Sequence, residues 1–184
     1  MVSPWCECGI SVVEIRDLCA MKLVTFQDSD GARVGVVVGE YVLDICAAEA
    51  GCPRSVVGLV SSPKWMDRAR ELEQKAANDD SFRRRYSLEY DALRLCAPVP
   101  APPRVICMGL NYRDHAAESG AEVPSEPVVF CKQQGAVIGP ADSIELPPAS
   151  DKVDYEVELA FVIGRGGRQI DASRAMEHVA GYTI

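Results

Sequence analysis

The strongest constraint on the fold of this chain is a proline-rich stretch, APVPAPPR, at residues 97–104, with four prolines in eight residues. Proline lacks a backbone N–H donor and has a fixed φ angle, so this stretch cannot form a helix interior or an inner strand. It therefore divides the chain of 184 residues into two parts. We predict a small α+β domain over 21–97, a linker over 98–104 and a β-rich domain over 105–184.

Strand and turn signals alternate over short distances before the linker. KLVTF (22–26) is β-branched and apolar, and VGVVVGEYVLDI (34–45) predicts one or two strands broken at Gly39-Glu40, which is typical hairpin punctuation. Residues 66–78 are rich in helix formers and in pairs of opposite charge, which predicts an amphipathic helix. These patterns together indicate the α+β class.

Residues 1–20 contain three acids and a single arginine. A secretory signal needs a basic start and an unbroken apolar stretch, and a mitochondrial transit peptide is poor in acids. Because neither pattern fits, we expect a leader outside the fold, with the domain beginning at Met21. The sequence does not decide between the mitochondrion and the cytoplasm.

Eight cysteines with irregular spacing and no CxxC pair favour thiols in a reducing compartment over disulfides.

The overall charge and hydropathy argue against several classes of partner. The net charge is −8, the sequence pI is about 4.8, and no dense run of Lys and Arg occurs, so we expect no nucleic-acid partner. No apolar run approaches the ~20 residues that a membrane span requires. Neither of the two histidines, His115 and His178, lies near a cysteine pair, so a zinc site has no support. We interpret His178 as a structural residue.

The stretch DYEVELAFVIG (154–164) carries acids at alternate positions, Asp154, Glu156 and Glu158. In a strand these side chains share one face about 6.6 Å apart, where two carboxylates can converge on one cation. Oxygen ligands favour Mg²⁺, Mn²⁺ or Ca²⁺. The apolar residues between and after the acids indicate a central strand that is buried on its other face. The alternative, a solvated strand face where acids are common, stays open from the pattern alone.

Three further side chains are candidates for proton and charge handling. His115 and Glu118 are three residues apart on a predicted short helix over 111–120, so they share one face, and a carboxylate can raise the basicity of an imidazole. Lys132 follows the predicted strand VVFC and could neutralise a carboxylate or an oxyanion. The alternatives are an ordinary surface pair on the helix and a solvated lysine at a strand end.

The order of these motifs resembles the fumarylacetoacetate hydrolase superfamily over Val105–Ile184. The segments that carry the resemblance are GLNYRDHAAE, FCK, IGP, LPP, DYEVELAFVIG and AMEHVAGYT. The resemblance implies an α+β, β-rich catalytic domain with a mixed β-sandwich roll, preceded by the small N-terminal domain. It also implies a Mg²⁺ or Mn²⁺ ion held by Glu156, Glu158 and an aspartate expected beyond Ile184.

The resemblance further implies roles and an activity. His115 with Glu118 matches a dyad that handles water or protons, and Lys132 matches a lysine of the substrate pocket. Members usually form homodimers and act on 2-oxo acids or 1,3-dicarbonyls through a metal-bound enolate. The reaction is C–C hydrolysis, oxaloacetate decarboxylation or oxaloacetate keto–enol tautomerisation, and these residues do not separate the three. Gln133-Gln134 departs from the small hydroxyl residues frequent in relatives, which affects substrate contacts.

A second hypothesis belongs to a different class. The relatives carry the aspartate ligand within a few residues of GYT, and this sequence ends at Ile184. The alternative is therefore a catalytically inactive truncated fragment, or a dimerisation module, of such a protein.

Overall fold

The computed structural model describes residues 13–15 and 21–184, which divide into two compact units. One unit combines the described residues up to Pro100 with Gly139–Ile184, and the other is Ala101–Ile138. The division after Pro100 falls inside the predicted linker, whereas the division after Ile138 had no signal in the sequence. Units grouped by contacts are not the same as domains, so the predicted domain boundaries stay a prediction.

The strands and helices are largely segregated along the chain, as is typical of an α+β protein. The strands in the described residues are β1 (Val13–Ile15), β2 (Lys22–Asp28), β3 (Gly31–Val38), β4 (Tyr41–Asp44), β5 (Ser87–Glu89), β6 (Val105–Gly109), β7 (Val128–Lys132), β8 (Ala160–Ile163) and β9 (Val179–Thr183). The helices are α1 (Ile45–Ala48), α2 (Val56–Val60), α3 (Pro63–Asn78), α4 (Asp80–Tyr86) and α5 (Arg113–Glu118). Short 3₁₀ helices form at Tyr90–Ala92, Gln134–Ala136 and Ala172–His178.

The larger unit is built on a seven-stranded antiparallel sheet with the order β5-β4-β3-β2-β1-β9-β8. The meander β2-β3-β4 turns at Gly31 and Gly39, whose φ angles of 101° and 61° lie in the left-handed region that favours glycine. The predicted break at Gly39-Glu40 is confirmed, with β3 and β4 paired on either side of it.

Both faces of this meander are buried. On one face Leu23, Val36 and Leu43 form a core with Leu59 of α2 and Leu72 of α3. On the other face the core residues are Val24, Phe26 and Val42.

Helix α3 buries Met66, Ala69, Leu72 and Ala76. This spacing of three and four residues places one apolar face against the sheet, so the predicted amphipathic helix is confirmed.

Asp44 joins the end of β4 to the start of α1. One carboxylate oxygen accepts from the backbone N–H of Ala47 at 3.0 Å, which caps the helix, and the other accepts from Nη1 of Arg33 at 2.7 Å. Arg33 also contacts Asp28 and Asp30. The Asp44 side chain is nearly buried, and both of its oxygens have partners, as burial of a carboxylate requires.

One segment joins the sheet in a way that the sequence did not indicate. β1 lies between β2 and β9, with Val13 opposite Leu23 and Ile15 opposite Gly181. At Val13–Ile15 the structure therefore differs from the prediction that residues 1–20 stay outside the fold, because the gap between two strands needs a backbone partner. The rest of that prediction lies outside the described residues.

The predicted strand over 153–164 is wrong in its first half. Only Ala160–Ile163 forms a strand, and Ala160 pairs with Thr183 of β9. Within the described residues, 154–159 pairs with no other strand, and the expected burial of its apolar side is wrong, since Tyr155 is 84% exposed and Val157 68%.

Candidate functional site

The smaller unit holds three of the predicted site residues on one hairpin and one helix. β6 and β7 pair in register from Val105 opposite Lys132 to Gly109 opposite Val128. Lys132 is therefore the last residue of β7, and its side chain is exposed. The predicted strands VICMGL and VVFCK are confirmed as strands, but β6 is not the buried strand that its apolar sequence indicated, because Ile106 is 56% exposed.

Helix α5 is shorter than the predicted helix over 111–120. Tyr112 takes the N-cap position without a side-chain capping bond, so the prediction that Asn111 caps the helix is wrong. The C-terminal end is as predicted: Gly120 has a φ angle of 67°, and the N–H of Ala121 donates back to Ala116 O at 2.9 Å.

His115 and Glu118 lie on the exposed side of α5, while Ala116 is fully buried. Their spacing of three residues places them about one turn apart on the same face, as predicted. Within the described residues, the side chains of His115, Glu118 and Lys132 form no hydrogen bond or ion pair. All three polar groups are therefore available to a bound molecule.

Leu110 is a residue that sequence reasoning missed. It lies between β6 and α5, directly after Gly109, and its φ angle is 51°. A non-glycine residue in the left-handed region costs roughly 1–3 kcal/mol, and such residues concentrate at functional sites. The turn at Leu110 directs the chain from the hairpin into the helix that carries His115. Leucine does not predict a positive φ angle, so this torsion is found only in the backbone of the structure.

The two predicted metal ligands lie in the larger unit. Glu156 is exposed and Glu158 is half-buried, and both belong to the segment Asp154–Leu159 that precedes β8. Neither side chain forms a hydrogen bond or an ion pair within the part of the chain that the structure describes. Nearby, the Asp154 carboxylate accepts from the N–H of Tyr155 at 2.8 Å.

The fit of a divalent cation to these residues is partial. Two carboxylates at alternate positions provide the oxygen atoms that Mg²⁺ and Mn²⁺ prefer. Among residues 13–15 and 21–184, however, no group of three or more His, Cys, Asp or Glu side chains converges to hold a metal ion. Glu156 and Glu158 therefore supply part of an oxygen ligand set and do not complete one by themselves.

Comparison with known proteins places the chain in a family. The family model described as fumarylacetoacetate (FAA) hydrolase C-terminal matches residues 104–184. The rat protein named "Oxaloacetate tautomerase Fahd2a, mitochondrial" is 51% identical over 168 residues, covering 89% of this chain and 51% of the relative. This chain belongs to the fumarylacetoacetate hydrolase superfamily. It is of the type of fumarylacetoacetate hydrolase domain-containing protein 2, and it spans about half the length of the curated relatives it matches.

Solved structures of this superfamily share the fold. Fumarylacetoacetate hydrolase from the psychrophile Exiguobacterium antarcticum matches with a TM-score of 0.63 and 30% identity, over 88% of this chain and 53% of that chain. Maleylpyruvate hydrolase from Sphingobium sp. SYK-6, solved in complex with manganese(II) and pyruvate, matches with a TM-score of 0.57 and 23% identity, over 86% of this chain and 56% of that chain. The α+β, β-rich fold expected from the family motifs is confirmed.

His178, in the last of the family motifs, has a structural role. Its side chain is 9% exposed, and Nδ1 lies 2.8 Å from the carbonyl oxygen of Arg165. The His178 carbonyl accepts from the N–H of Gly164 at 3.0 Å, which joins the two ends of the 164–178 loop. These contacts agree with the structural interpretation.

A cleft in the larger unit contains none of the predicted site residues. Its volume is about 280 Å³, and its lining residues are Val60, Met66, Arg70, Met176, Glu177, Val179 and Ala180.

No helix in the described ranges is long and apolar enough to cross a membrane.

Proposed function

We propose that this chain carries part of the active site of a divalent-metal-dependent enzyme that acts on small 2-oxo acids. The observation that carries the proposal is the superfamily match over residues 104–184, which includes His115, Glu118, Lys132, Glu156 and Glu158 within one continuous segment. The chain spans about half of its relatives, so the activity is proposed for the protein in which the ligand set is complete.

Glu156 and Glu158 are the proposed metal ligands, with Mg²⁺ or Mn²⁺ as the ion. Their carboxylates have no competing partner within the described residues, which supports a role in ligation. The manganese(II) ion in the Sphingobium maleylpyruvate hydrolase structure supports a divalent ion in this fold. When bound, the ion would supply Lewis-acid polarisation of the substrate oxygens.

His115 is the proposed proton carrier, and Glu118 orients it. A neutral imidazole accepts a proton on one ring nitrogen while the other donates to a carboxylate, and this hydrogen bond raises its basicity. Their spacing on α5 permits such a bond once both side chains order around a substrate. Lys132, at the end of β7, offers an ammonium group to the substrate carboxylate or to a developing oxyanion.

Oxaloacetate keto–enol tautomerisation is the reaction we propose first. The rat relative, at 51% identity, is named an oxaloacetate tautomerase. Hydrolysis of a C–C bond and decarboxylation require the same movement of a proton beside a carbonyl group, so the same residues would serve them. The names of the Exiguobacterium and Sphingobium proteins support hydrolysis as the next candidate.

Compartment and assembly follow as further parts of the proposal. The name of the rat relative places that protein in mitochondria, and we propose the mitochondrion ahead of the cytoplasm for this chain.

We also propose a homodimer. The apolar residues Ile106, Met108, Val129 and Phe130, which are 43–57% exposed on the two faces of the β6–β7 hairpin, support contact with a further protein surface.

One observation favours the alternative function, a catalytically inactive fragment or dimerisation module. No third carboxylate, histidine or cysteine joins Glu156 and Glu158 in the described residues. Two carboxylates alone bind Mg²⁺ weakly because Mg²⁺ demands six oxygen ligands in near-ideal octahedral geometry and releases its waters reluctantly.

The test is an assay with oxaloacetate and Mg²⁺ or Mn²⁺ of the 184-residue protein, of a longer form that completes the ligand set, and of the Glu156→Gln variant of each. The enol absorbance reports tautomerisation, and chromatography of the acids reports decarboxylation. In the longer form we expect metal-dependent turnover that falls about a hundredfold in the variant, consistent with losing a ligand of a catalytic ion. Glu145→Gln, another exposed glutamate of the same unit, is the matched control and should keep full activity.

Titration of Mn²⁺ by electron paramagnetic resonance separates the two functions. Turnover that is unchanged in Glu156→Gln would contradict the assignment of the ligand. Absent turnover together with Mn²⁺ binding weaker than about 1 mM would favour the inactive module, since two carboxylates would then be the whole ligand set.

A further inference from the structure

Two cysteines of the larger unit, Cys46 and Cys52, share one hydrogen-bonding group. Cys46 Sγ lies 3.6 Å from the carbonyl oxygen of Pro53, and Cys52 Sγ lies 3.2 Å from the same oxygen. Cys46 Sγ is additionally 3.8 Å from the carbonyl oxygen of Cys52. Both sulfur atoms therefore lie against one carbonyl oxygen, although the two cysteines are six positions apart in the sequence.

The local fold brings the thiols together and leaves them reachable. Cys46 lies in α1, and the chain returns through Gly51, whose φ angle of 81° is in the left-handed region. This turn places Cys52 back against the helix. Both cysteines are half-buried, so a small molecule can reach the pair. Their present partners are carbonyl oxygens, which bind thiols weakly, so little is lost when the side chains rotate.

We propose that Cys46 and Cys52 are a dithiol that a small-molecule disulfide converts reversibly into an intramolecular disulfide. The proximity of the two sulfur atoms carries this inference. A disulfide requires the sulfurs to approach to about 2.05 Å, and two thiols held at the same carbonyl oxygen can approach each other by side-chain rotation. Among the other described cysteines, Cys96, Cys107 and Cys131, no two share an acceptor in this way.

The reaction balances as two exchange steps. The Cys46 thiolate attacks one sulfur of the small disulfide RSSR, whose S–S bond breaks. One RS⁻ leaves, and the other RS group stays bonded to Cys46 as a mixed disulfide. The Cys52 thiolate then attacks Cys46 Sγ and expels the second RS⁻. Both RS⁻ groups take up the protons released by the protein thiols, so two protein thiols are oxidised and one RSSR is reduced to two RSH.

Cys46 is the residue that attacks first. Burial raises the pKa of both thiols, and the pKa of Cys52 rises to about 12. The neighbouring Cys52 side chain lowers the pKa of Cys46 and so favours its thiolate, as do the charges of Arg54 and Arg33. Since the thiolate is the nucleophile, the rate of oxidation should rise about tenfold per pH unit near neutrality.

The test is peptide mapping of the native protein after incubation with oxidised glutathione. Trypsin releases Val34–Arg54 as one peptide that contains both cysteines and no internal Lys or Arg. The expected product is this peptide about 2 mass units lighter because two hydrogens are lost, and dithiothreitol should restore it. Cys131, an exposed thiol, should instead carry a glutathione adduct in the same sample.

Variants assign the order of attack. Cys52→Ser should trap a glutathione adduct at Cys46, and Cys46→Ser should carry at least about tenfold less adduct at Cys52, since few Cys52 thiolates are present. Cys96→Ser, a change at another half-buried cysteine, is the matched control and should leave Val34–Arg54 oxidation unchanged. Two outcomes overturn the proposal in the wild type alone: a Val34–Arg54 peptide that stays reduced when Cys131 is fully modified, or separate adducts on Cys46 and Cys52.

Discussion

The β2–β4 meander and the β6–β7 hairpin are both made of apolar antiparallel strands, yet they differ sharply in burial. Leu23, Val36 and Phe26 of the meander are fully buried, whereas Ile106 and Phe130 of the hairpin are 56% and 45% exposed. The meander has helices on one face and a second apolar cluster on the other. The comparison teaches that an apolar strand sequence indicates a strand that is more stable when another element packs on it. The sequence does not show whether such an element is present.

The difference in burial implies a difference in local stability. Burial of apolar surface contributes about 25 cal/mol per Å² to stability, and the meander buries apolar side chains on both of its faces. An isolated two-stranded hairpin is marginally stable in water. We therefore expect the larger unit to carry most of the free energy of unfolding, and the smaller unit to open more readily.

Truncating one phenylalanine in each region gives the largest expected contrast. Phe26→Ala should lower the free energy of unfolding by about 3–5 kcal/mol because it removes a fully buried ring and leaves a cavity. Phe130→Ala should lower it by less than about 1 kcal/mol, since its ring is half-exposed. Urea denaturation followed by circular dichroism measures both values. Equal losses would mean that the hairpin is as well packed as the meander.

Adding one methyl group to a glycine in each unit tests the same contrast by overpacking. A Cβ on Gly35 would lie 2.3 Å from Val42 Cγ1 and 3.1 Å from the carbonyl oxygen of Leu43, so Gly35→Ala should cost about 1–3 kcal/mol. A Cβ on Gly135, in the smaller unit, would meet nothing within 4 Å. Gly135→Ala should therefore be neutral or slightly stabilising in the same denaturation experiment. A destabilised Gly135→Ala would show closer packing there than we describe.

The smallest expected effect concerns helix capping, which differs between α4 and α5. Asp79 caps α4 by accepting from the N–H groups of Ser81 and Phe82 at 2.9 and 3.0 Å, whereas α5 has no side-chain cap. The hydrogen bonds from Ser81 and Phe82 lower the pKa of Asp79. A lowered folded-state pKa stabilises the protein above the unfolded-state pKa, and this contribution is lost as the pH falls through the folded-state value.

The corresponding measurement compares the unfolding temperatures of the wild type and Asp79→Ala as the pH is lowered from 7. The variant should unfold at a lower temperature near neutrality, and the gap should close as Asp79 of the wild type becomes protonated. Asp91→Ala, a change in the Tyr90–Ala92 turn, is the control and should show no such closing gap. A gap that stays constant with pH would assign the effect of Asp79 to packing.

Much of the candidate site was predictable because its residues belong to continuous motifs. GLNYRDHAAE pointed to His115 and Glu118 on a short helix, and α5 carries both. The exposure of Glu156 stayed open from the pattern alone, since whether a strand forms at 154–159 depends on its pairing partner. The torsion at Leu110 was equally hidden, because leucine is not a residue that marks left-handed turns.

Periodicity, glycine punctuation and the proline stretch at 97–104 by themselves determined β2, β3, β4, α3 and the break near Pro100, and the order of the family motifs indicated the superfamily. These features depend on neighbours in the sequence, where side-chain alternation and backbone torsion preferences act. Only the tertiary structure decided that β1 enters the sheet, that β8 and β9 extend it, and that Cys46 meets Cys52 at one carbonyl group. Those outcomes depend on partners distant in the sequence or on the exact course of a turn, which local patterns do not encode.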